Sequence, residues 1–128
     1  MKYLLDTHVF LWWIQDDQKL SPRARGVLSD GGNDILLSVA SLWEIVIKVQ
    51  IGKLSVPQPA DRYLGRQLQT NAISTLPVEA AHALRLLKLP NHHKDPFDRL
   101  LVAQSQAENL PIVTADPAVK KYPVKTIW

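Results

Sequence analysis

Apolar residues along this chain fall in short runs separated by polar punctuation, and the runs differ in length and period. Tyr3-Leu4-Leu5 has the length of a buried strand and leads straight into Asp6 and Thr7, after which Val9 to Gln15 reads as a packed helix. Ser21-Pro22 predicts a helix start, Ser as N-cap and Pro in the first turn, carried through Ser29 and broken at Gly31-Gly32-Asn33. Ile35 to Ser38 supplies a second strand. Ala40 to Gln50 then forms a strongly apolar helix, expected to be buried on nearly every side and ended near Gly52. Pro57 and Pro59 precede a moderate helix from Ala60 to Gln69, and Ala72 to Leu76 is a third strand. Val78 to Leu87 predicts a helix with Val78, Ala81, Ala83, Leu84 and Leu87 at its apolar positions. Beyond the polar loop Pro90 to Lys94, Asp95-Pro96 opens a helix that runs to Glu108. Ile112 to Thr114 is a strand, Ala115-Asp116-Pro117 a turn, and Val124 to Ile127 a final edge strand. Strands alternating with helices imply right-handed crossovers and a parallel sheet flanked by α-helices. The expected fold is α/β, in one domain spanning residues 1–128.

Composition removes several chemistries. Cysteine is absent, which excludes thiol nucleophiles, thiolate zinc sites, iron–sulfur clusters and disulfides. The longest apolar runs, Val9 to Ile14 and Ile45 to Ile47, are far shorter than the roughly 20 residues of a membrane span. Asp6 interrupts the N-terminal apolar stretch too early for a signal peptide, so the expectation is a soluble cytoplasmic protein with no membrane partner. A net charge of +3 leans only weakly toward polyanions.

The acids carry more information. In open parallel sheets, ligands gather outside the carboxyl ends of the strands. Asp6 and Asp116 both follow predicted strands, so a parallel sheet brings them to the same rim. Each also has a purely structural reading as a helix N-cap. For Asp116-Pro117 alone that reading is the stronger one, whereas Thr7 beside Asp6 offers another cap for the first helix. Glu44 stands at capping-box spacing from Ser41 and four residues before Lys48, yet it lies on a helix crowded with apolar residues, where a carboxylate needs a cation. Asp95 and Asp98 are three apart, one placed to cap and the other to reach inward. Four converging carboxylates cannot all stay ionised in a protein interior without compensating charge. Hard divalent cations such as Mg²⁺ or Mn²⁺ supply that charge and serve phosphoryl chemistry.

At this point the chain resembles the PIN-domain ribonucleases, and more narrowly the VapC-type toxins of bacterial type II toxin–antitoxin pairs. The matching segments are Leu4-Leu5-Asp6-Thr7-His8 with Leu11-Trp12-Trp13, Ser38-Val39-Ala40-Ser41-Leu42-Trp43-Glu44-Ile45, Asp95-Pro96-Phe97-Asp98-Arg99-Leu100-Leu101-Val102-Ala103-Gln104, and Val113-Thr114-Ala115-Asp116. They run from end to end in the family's order, while Leu54 to Pro90 matches only in pattern. The resemblance implies that Asp6, Glu44, Asp98 and Asp116 are catalytic, metal-binding acids, with Thr7, Ser38 and Thr114 as polar groups behind them. It also implies a Mg²⁺- or Mn²⁺-dependent endoribonuclease, a homodimer, an RNA substrate and a small antitoxin that blocks the cleft. Single-stranded or loop RNA suits a rim-like cleft better than a regular duplex.

A noncatalytic PIN-like module that binds RNA or protein is the alternative, and the presence of all four acids weighs against it. A phosphate-responsive signalling domain would want a strand-end Lys, and none stands out. His92-His93-Lys94 reads as a solvated loop suited to phosphate contact rather than metal ligation, and His8 is placed to touch substrate. Trp12 and Trp13 read as packing residues, one of them at a dimer or partner surface. Arg23, Arg25, Arg62, Arg66, Lys94, Arg99, Lys120 and Lys121 are the candidates for backbone phosphates.

Overall fold

The strands pair as the alternation of elements demands. The computed structural model describes all 128 residues and contains one five-stranded, all-parallel sheet built from β1 (Lys2–Leu5), β2 (Asp34–Ser38), β3 (Ile73–Leu76), β4 (Ile112–Val113) and β5 (Thr126–Ile127). The helices are α1 (Thr7–Ile14), α2 (Pro22–Ser29), α3 (Val39–Gln50), α4 (Ala60–Thr70), α5 (Ala80–Arg85) and α6 (Pro96–Glu108). Short 3₁₀ turns cover Leu86–Lys88 and Val119–Lys121. None of these helices is long and apolar enough to cross a membrane.

Strand order is β3-β2-β1-β4-β5. The chain therefore builds outward from β1 in one direction and returns to lay β4 on its other side, with Leu4 opposite Ile112 and Leu5 opposite Val113. This reversal is the place where an open parallel sheet forms a crevice at its carboxyl edge.

Alternation along β1 divides the interior in two. Leu5 joins Val9, Phe10, Leu37, Ile45 and Leu64 in one apolar cluster, and Leu4 joins Leu101, Val102, Ile112 and Val119 in the other. Side chains of successive strand residues point to opposite faces, so each face acquires its own layer. Leu4, Leu5, Val9, Phe10 and Val102 are completely buried.

Two expectations about helices are corrected. α3 is not buried all round: Val39, Trp43 and Val46 form an open stripe, with Trp43 63% exposed, while Ser41, Glu44 and Ile45 face inward. α5 begins at Ala80 rather than Val78, and Val78, Leu84 and Leu87 point outward. Its buried residue is His82, whose Nδ1 accepts the Glu79 amide at 3.0 Å and whose Nε2 lies 2.8 Å from Glu108 Oε1 on α6. A polar seam between α5 and α6 set the helix's orientation, and the apolar period did not.

Candidate active site

Asp6 extends β1 by one residue, its amide donating to Val113 O at 3.0 Å, so its side chain emerges at the β1–β4 rim. Both carboxylate oxygens are engaged. Oδ1 accepts the His8 amide at 2.9 Å and thereby caps α1, and Oδ2 accepts the Thr114 hydroxyl at 2.7 Å. Asp6 is thus a helix cap and a rim acid together. Thr7 does not cap α1; its hydroxyl donates to Ser41 Oγ at 2.8 Å and ties α1 to α3. Burial raises the Asp6 pKa, but the His8 imidazole and amide and the Thr114 hydroxyl outweigh it, holding the carboxyl below its usual range.

Thr114 is fully buried and joins two acids, since its Oγ1 also accepts the Asp116 amide at 3.0 Å. Asp116 Oδ1 accepts the Ala118 amide at 2.9 Å, the local turn that its position before Pro117 suggests. The other oxygen, Oδ2, stays directed into the cluster.

The capping box proposed for Ser41 and Glu44 does not form. α3 starts three residues earlier, capped by Ser38, whose Oγ accepts the Ala40 amide at 3.1 Å. Ser41 and Glu44 are consequently inside the helix. Glu44 is only 5% exposed; Oε2 pairs with Lys48 Nζ at 3.1 Å, and Oε1 is buried with no partner at all.

Asp95 caps α6, its Oδ1 accepting the amides of Phe97 at 2.8 Å and Asp98 at 3.2 Å. Asp98, in the first turn, reaches toward the other acids. Its carboxyl is pushed up to about 7, first by burial and then by the negative charges of Asp6, Asp95 and Glu44, against an opposing pull from His93. Asp6 and Glu44 are thus near enough for their charge to act on Asp98, and His93 joins Asp98 to Asp116: its Nε2 lies 2.7 Å from Asp116 Oδ2 and 3.2 Å from Asp98 Oδ2.

His93 is the member of this cluster that the sequence reading placed in solvent. The loop carrying it is pinned, because the amides of His92 and His93 both donate to the Tyr122 hydroxyl at 3.1 Å and the His92 ring packs edge-on against Tyr122. The available signal was its place two residues before the cap Asp95, which lets its Nδ1 accept the Asp95 amide at 3.0 Å. Of the three polar supporting groups, only Thr114 hydrogen-bonds an acid directly; Ser38 and Thr7 act through helix placement.

Beside the acids lies a cleft of 310 Å³ lined by Asp6, His8, Val9, Trp12, Ala115, Asp116 and Pro117. His8 stands at its mouth with its side chain 58% exposed, Nδ1 3.6 Å from Asp6 Oδ1. That carboxylate raises the His8 pKa despite partial burial. Trp12 packs between His8 and Trp128, at ring separations of 6.1 and 5.8 Å. Trp13 turns away and donates to Asn71 Oδ1 at 3.0 Å. A larger hollow of 420 Å³, bordered by Met1, Arg85 and Lys125, sits at the opposite end of the strands and contains no acid. Two of the cations proposed for phosphate are already engaged: Arg99 donates to the carbonyls of Leu86 and Leu89 at 3.4 and 3.2 Å, and Arg25 pairs with Asp16 at 2.7 Å.

The cluster suits a divalent cation. A buried carboxylate oxygen with no donor is costly, and a positive ion is the partner that removes the cost for Glu44 and for the crowded Asp98 together. The donors are mostly carboxylate oxygens, the set preferred by hard cations.

Comparison with known proteins agrees with this architecture. A family model described as PIN domain matches residues 3–125. The chain is 41% identical over 58 residues to Ribonuclease VapC16 of Mycobacterium tuberculosis (strain ATCC 25618 / H37Rv), a match spanning 45% of this chain and 41% of that protein, less than half of either. It is 25% identical over 130 residues to Ribonuclease VapC22 of the same organism, covering 98% of this chain and 97% of the relative. Among solved structures it resembles VapBC2 from Rickettsia felis bound to a DNA fragment from their promoter, with a TM-score of 0.69 at 17% identity over 99% of this chain and 98% of that one. FitAcB from Neisseria gonorrhoeae has a TM-score of 0.64 at 18% identity, covering 100% and 97%. At such identities the structures report a shared fold.

Proposed function

The chain belongs to the PIN-domain family, and from that premise we propose that it is a divalent-cation-dependent endoribonuclease and the toxin of a toxin–antitoxin pair. The observation that carries this reading is a crowd of carboxylates: Asp98 and Asp116 meet at His93 Nε2, the charges of Asp6 and Glu44 act on Asp98, and one Glu44 oxygen is buried without a partner. Lys48 pairs with one Glu44 oxygen, His8 lies beside Asp6 and a single His93 is shared by Asp98 and Asp116, so the acids outnumber the protein cations that face them.

Mg²⁺ or Mn²⁺ is the proposed ion, held by Asp6, Glu44 and Asp98 with Asp116 beside them. When bound, it supplies the positive charge that activates a water and offsets charge on the leaving oxygen of a phosphodiester. The chain's own groups have defined tasks around it. Thr114 keeps one Asp6 oxygen oriented inward, and the His8 amide holds the other. His8, its pKa raised by Asp6, stands at the cleft mouth, where an RNA phosphate would lie. Trp12 gives the cleft an aromatic wall on which an unpaired base can stack, which favours single-stranded or loop RNA.

The ribonuclease names of the sequence relatives and the toxin–antitoxin composition of similar structures support this reading. By the same support, a small antitoxin is the proposed partner, covering the cleft until it is removed, and the cytoplasm is where both RNA and antitoxin would be met. The open Val39, Trp43 and Val46 stripe of α3 gives a homodimer apolar surface to bury. The noncatalytic alternative has no use for the partnerless carboxylate.

The test is cleavage of a mixed RNA substrate by the purified chain. Cleavage is expected to stop with EDTA, to return with excess Mg²⁺ or Mn²⁺, and to be absent in Asp6→Asn. Equal cleavage with and without chelator would overturn the cation-dependent reading.

A further inference from the structure

His93 is not one of the four acids, yet it ties two of them together. Its Nε2 and the Oδ2 atoms of Asp98 and Asp116 all lie within 4.8 Å of one another, which on distance alone resembles a metal-holding trio of one nitrogen and two oxygens. The other ring nitrogen argues against ligation. Nδ1 accepts the Asp95 backbone amide at 3.0 Å, and an amide N–H only donates. Nδ1 is therefore unprotonated, and a neutral imidazole must carry its single proton on Nε2. A ligating histidine has the opposite arrangement, with its noncoordinating nitrogen protonated and donating to a carbonyl or carboxylate. Ligation through Nε2 here would require loss of both ring protons or rupture of the bond to Asp95, the residue that also caps α6.

The surroundings make this arrangement rigid. The Tyr122 hydroxyl receives the amides of both His92 and His93, Asp95 is held by its cap bonds, and Asp116 is fixed through Ala118 and Thr114. The Nε2–H therefore points permanently between Asp98 and Asp116, where it partly offsets their mutual repulsion. Glu44 Oε1, by contrast, has no donor of any kind. One part of the cluster is already bridged by the protein; in the other, Lys48 pairs with Glu44 Oε2 and leaves Oε1 open.

We propose that His93 is a positioning residue whose Nε2–H bridges Asp98 and Asp116 in the place a second cation would take, so that the cluster holds a single divalent ion. This rests on the cation reading above and specifies its stoichiometry. The bridge would orient Asp98, one of the acids that would hold the ion, with His93 itself not a ligand.

Calorimetric titration of the full chain with Mn²⁺ tests the inference. Wild type is expected to bind one ion per chain, and His93→Ala, freed of the bridge, two. Two ions on wild type, or an unchanged single ion on a folded His93→Ala, would overturn the bridge while leaving cation dependence standing. No ion on wild type would overturn the cation reading and the bridge with it. Should His93→Ala not fold, long-range ¹H–¹⁵N correlation spectra of the wild-type imidazole decide the matter on their own. The proton is expected on Nε2 both before and after Mg²⁺ is added; its loss, or a shift of Nε2 to the range of a ligating nitrogen, would overturn the proposal.

Discussion

Two histidines in this chain are held in the same way and serve different ends. His82 accepts the Glu79 amide through Nδ1 at 3.0 Å and meets Glu108 through Nε2 at 2.8 Å; His93 accepts the Asp95 amide at 3.0 Å and meets Asp116 at 2.7 Å. In both, a backbone amide sets the tautomer and directs Nε2–H at a carboxylate. The neighbours differ. His82 has one carboxylate, Glu108, which is 39% exposed and can be hydrated. The partnerless buried atom nearby is the amide oxygen of Gln104, a neutral acceptor whose exposure to apolar surroundings costs about 1–3 kcal/mol. Around His93 the acids outnumber the cations, and the partnerless atom is Glu44 Oε1, one oxygen of a carboxyl group whose other oxygen pairs with Lys48; a buried carboxylate costs more to leave incompletely paired than an amide. A histidine–carboxylate pair therefore does not mark a site. The surplus of carboxylates is what sets the two regions apart.

The comparison can be broken most severely at Glu44. Glu44→Gln removes the surplus charge at the partnerless oxygen, and RNA cleavage is expected to fall at least about 100-fold, equivalent to ~2.7 kcal/mol of lost transition-state stabilisation. Kinetics at saturating Mn²⁺ measure it, and full activity would return Glu44 to a structural role as the partner of Lys48.

At the other histidine the effect should appear in stability alone. His82→Ala leaves the Glu79 amide unpaired and empties a fully buried volume between α5 and α6, so a loss of about 2 kcal/mol is expected. Denaturant unfolding gives this number. Cleavage per folded molecule should remain at the wild-type level, and a specific loss of activity would connect the two regions.

Asp98 sharpens the contrast through pH. Its native carboxyl titrates near 7, whereas the unfolded chain follows the ordinary value of 3.8. The native state thus keeps a proton that the unfolded chain has released. In metal-free protein the Asp98 contribution is complete below 3.8 and is lost as pH rises through about 7. Asp98→Asn should abolish that decline and stabilise the metal-free chain above pH 7 by at least about 1 kcal/mol, a few degrees in Tm. Thermal melts in EDTA across that interval test the sign, and a variant less stable at high pH would contradict it.

Asp95→Asn is expected to do least. Asn also caps helices, and the amide that orients His93 belongs to the backbone, so the change should cost only a few tenths of a kcal/mol and leave substantial cleavage. An inactive Asp95→Asn beside an active Asp98→Asn would exchange the roles of the two acids.

Some of this was legible from residue order because the forces involved reach only three or four residues. Ser21-Pro22 and Asp95-Pro96 announce helix starts that the structure places at Pro22 and Pro96, since a cap needs only its own side chain and the next turn's amides. Short apolar runs between such signals likewise marked the strands, and a parallel sheet followed from the alternation. Locality also leaves open what α3 settles: Ser41 has capping-box spacing from Glu44, but it lies inside the helix and accepts the hydroxyl of Thr7, 34 residues away, and Ser38 caps instead.

What only the tertiary structure decided is which residues serve two purposes and which faces are covered. Asp6 caps α1 with one oxygen and accepts the Thr114 hydroxyl with the other, and Asp116 turns the chain with one oxygen and meets His93 with the other, so a capping or turning role leaves each acid a second oxygen for a tertiary partner. Nothing near Val78, Leu84 and Leu87 in the chain reveals that Glu108 will draw His82 inward and leave them in solvent. Nothing near His93 reveals that Tyr122 will pin its loop against Asp116. The chain by itself determined the helix-start caps and the alternation of elements, because covalent neighbours suffice for those. Burial, charge surplus and the His93 bridge depend on groups that meet only when the sheet closes β4 against β1, and a carboxylate's chemistry is set by the charges it meets there.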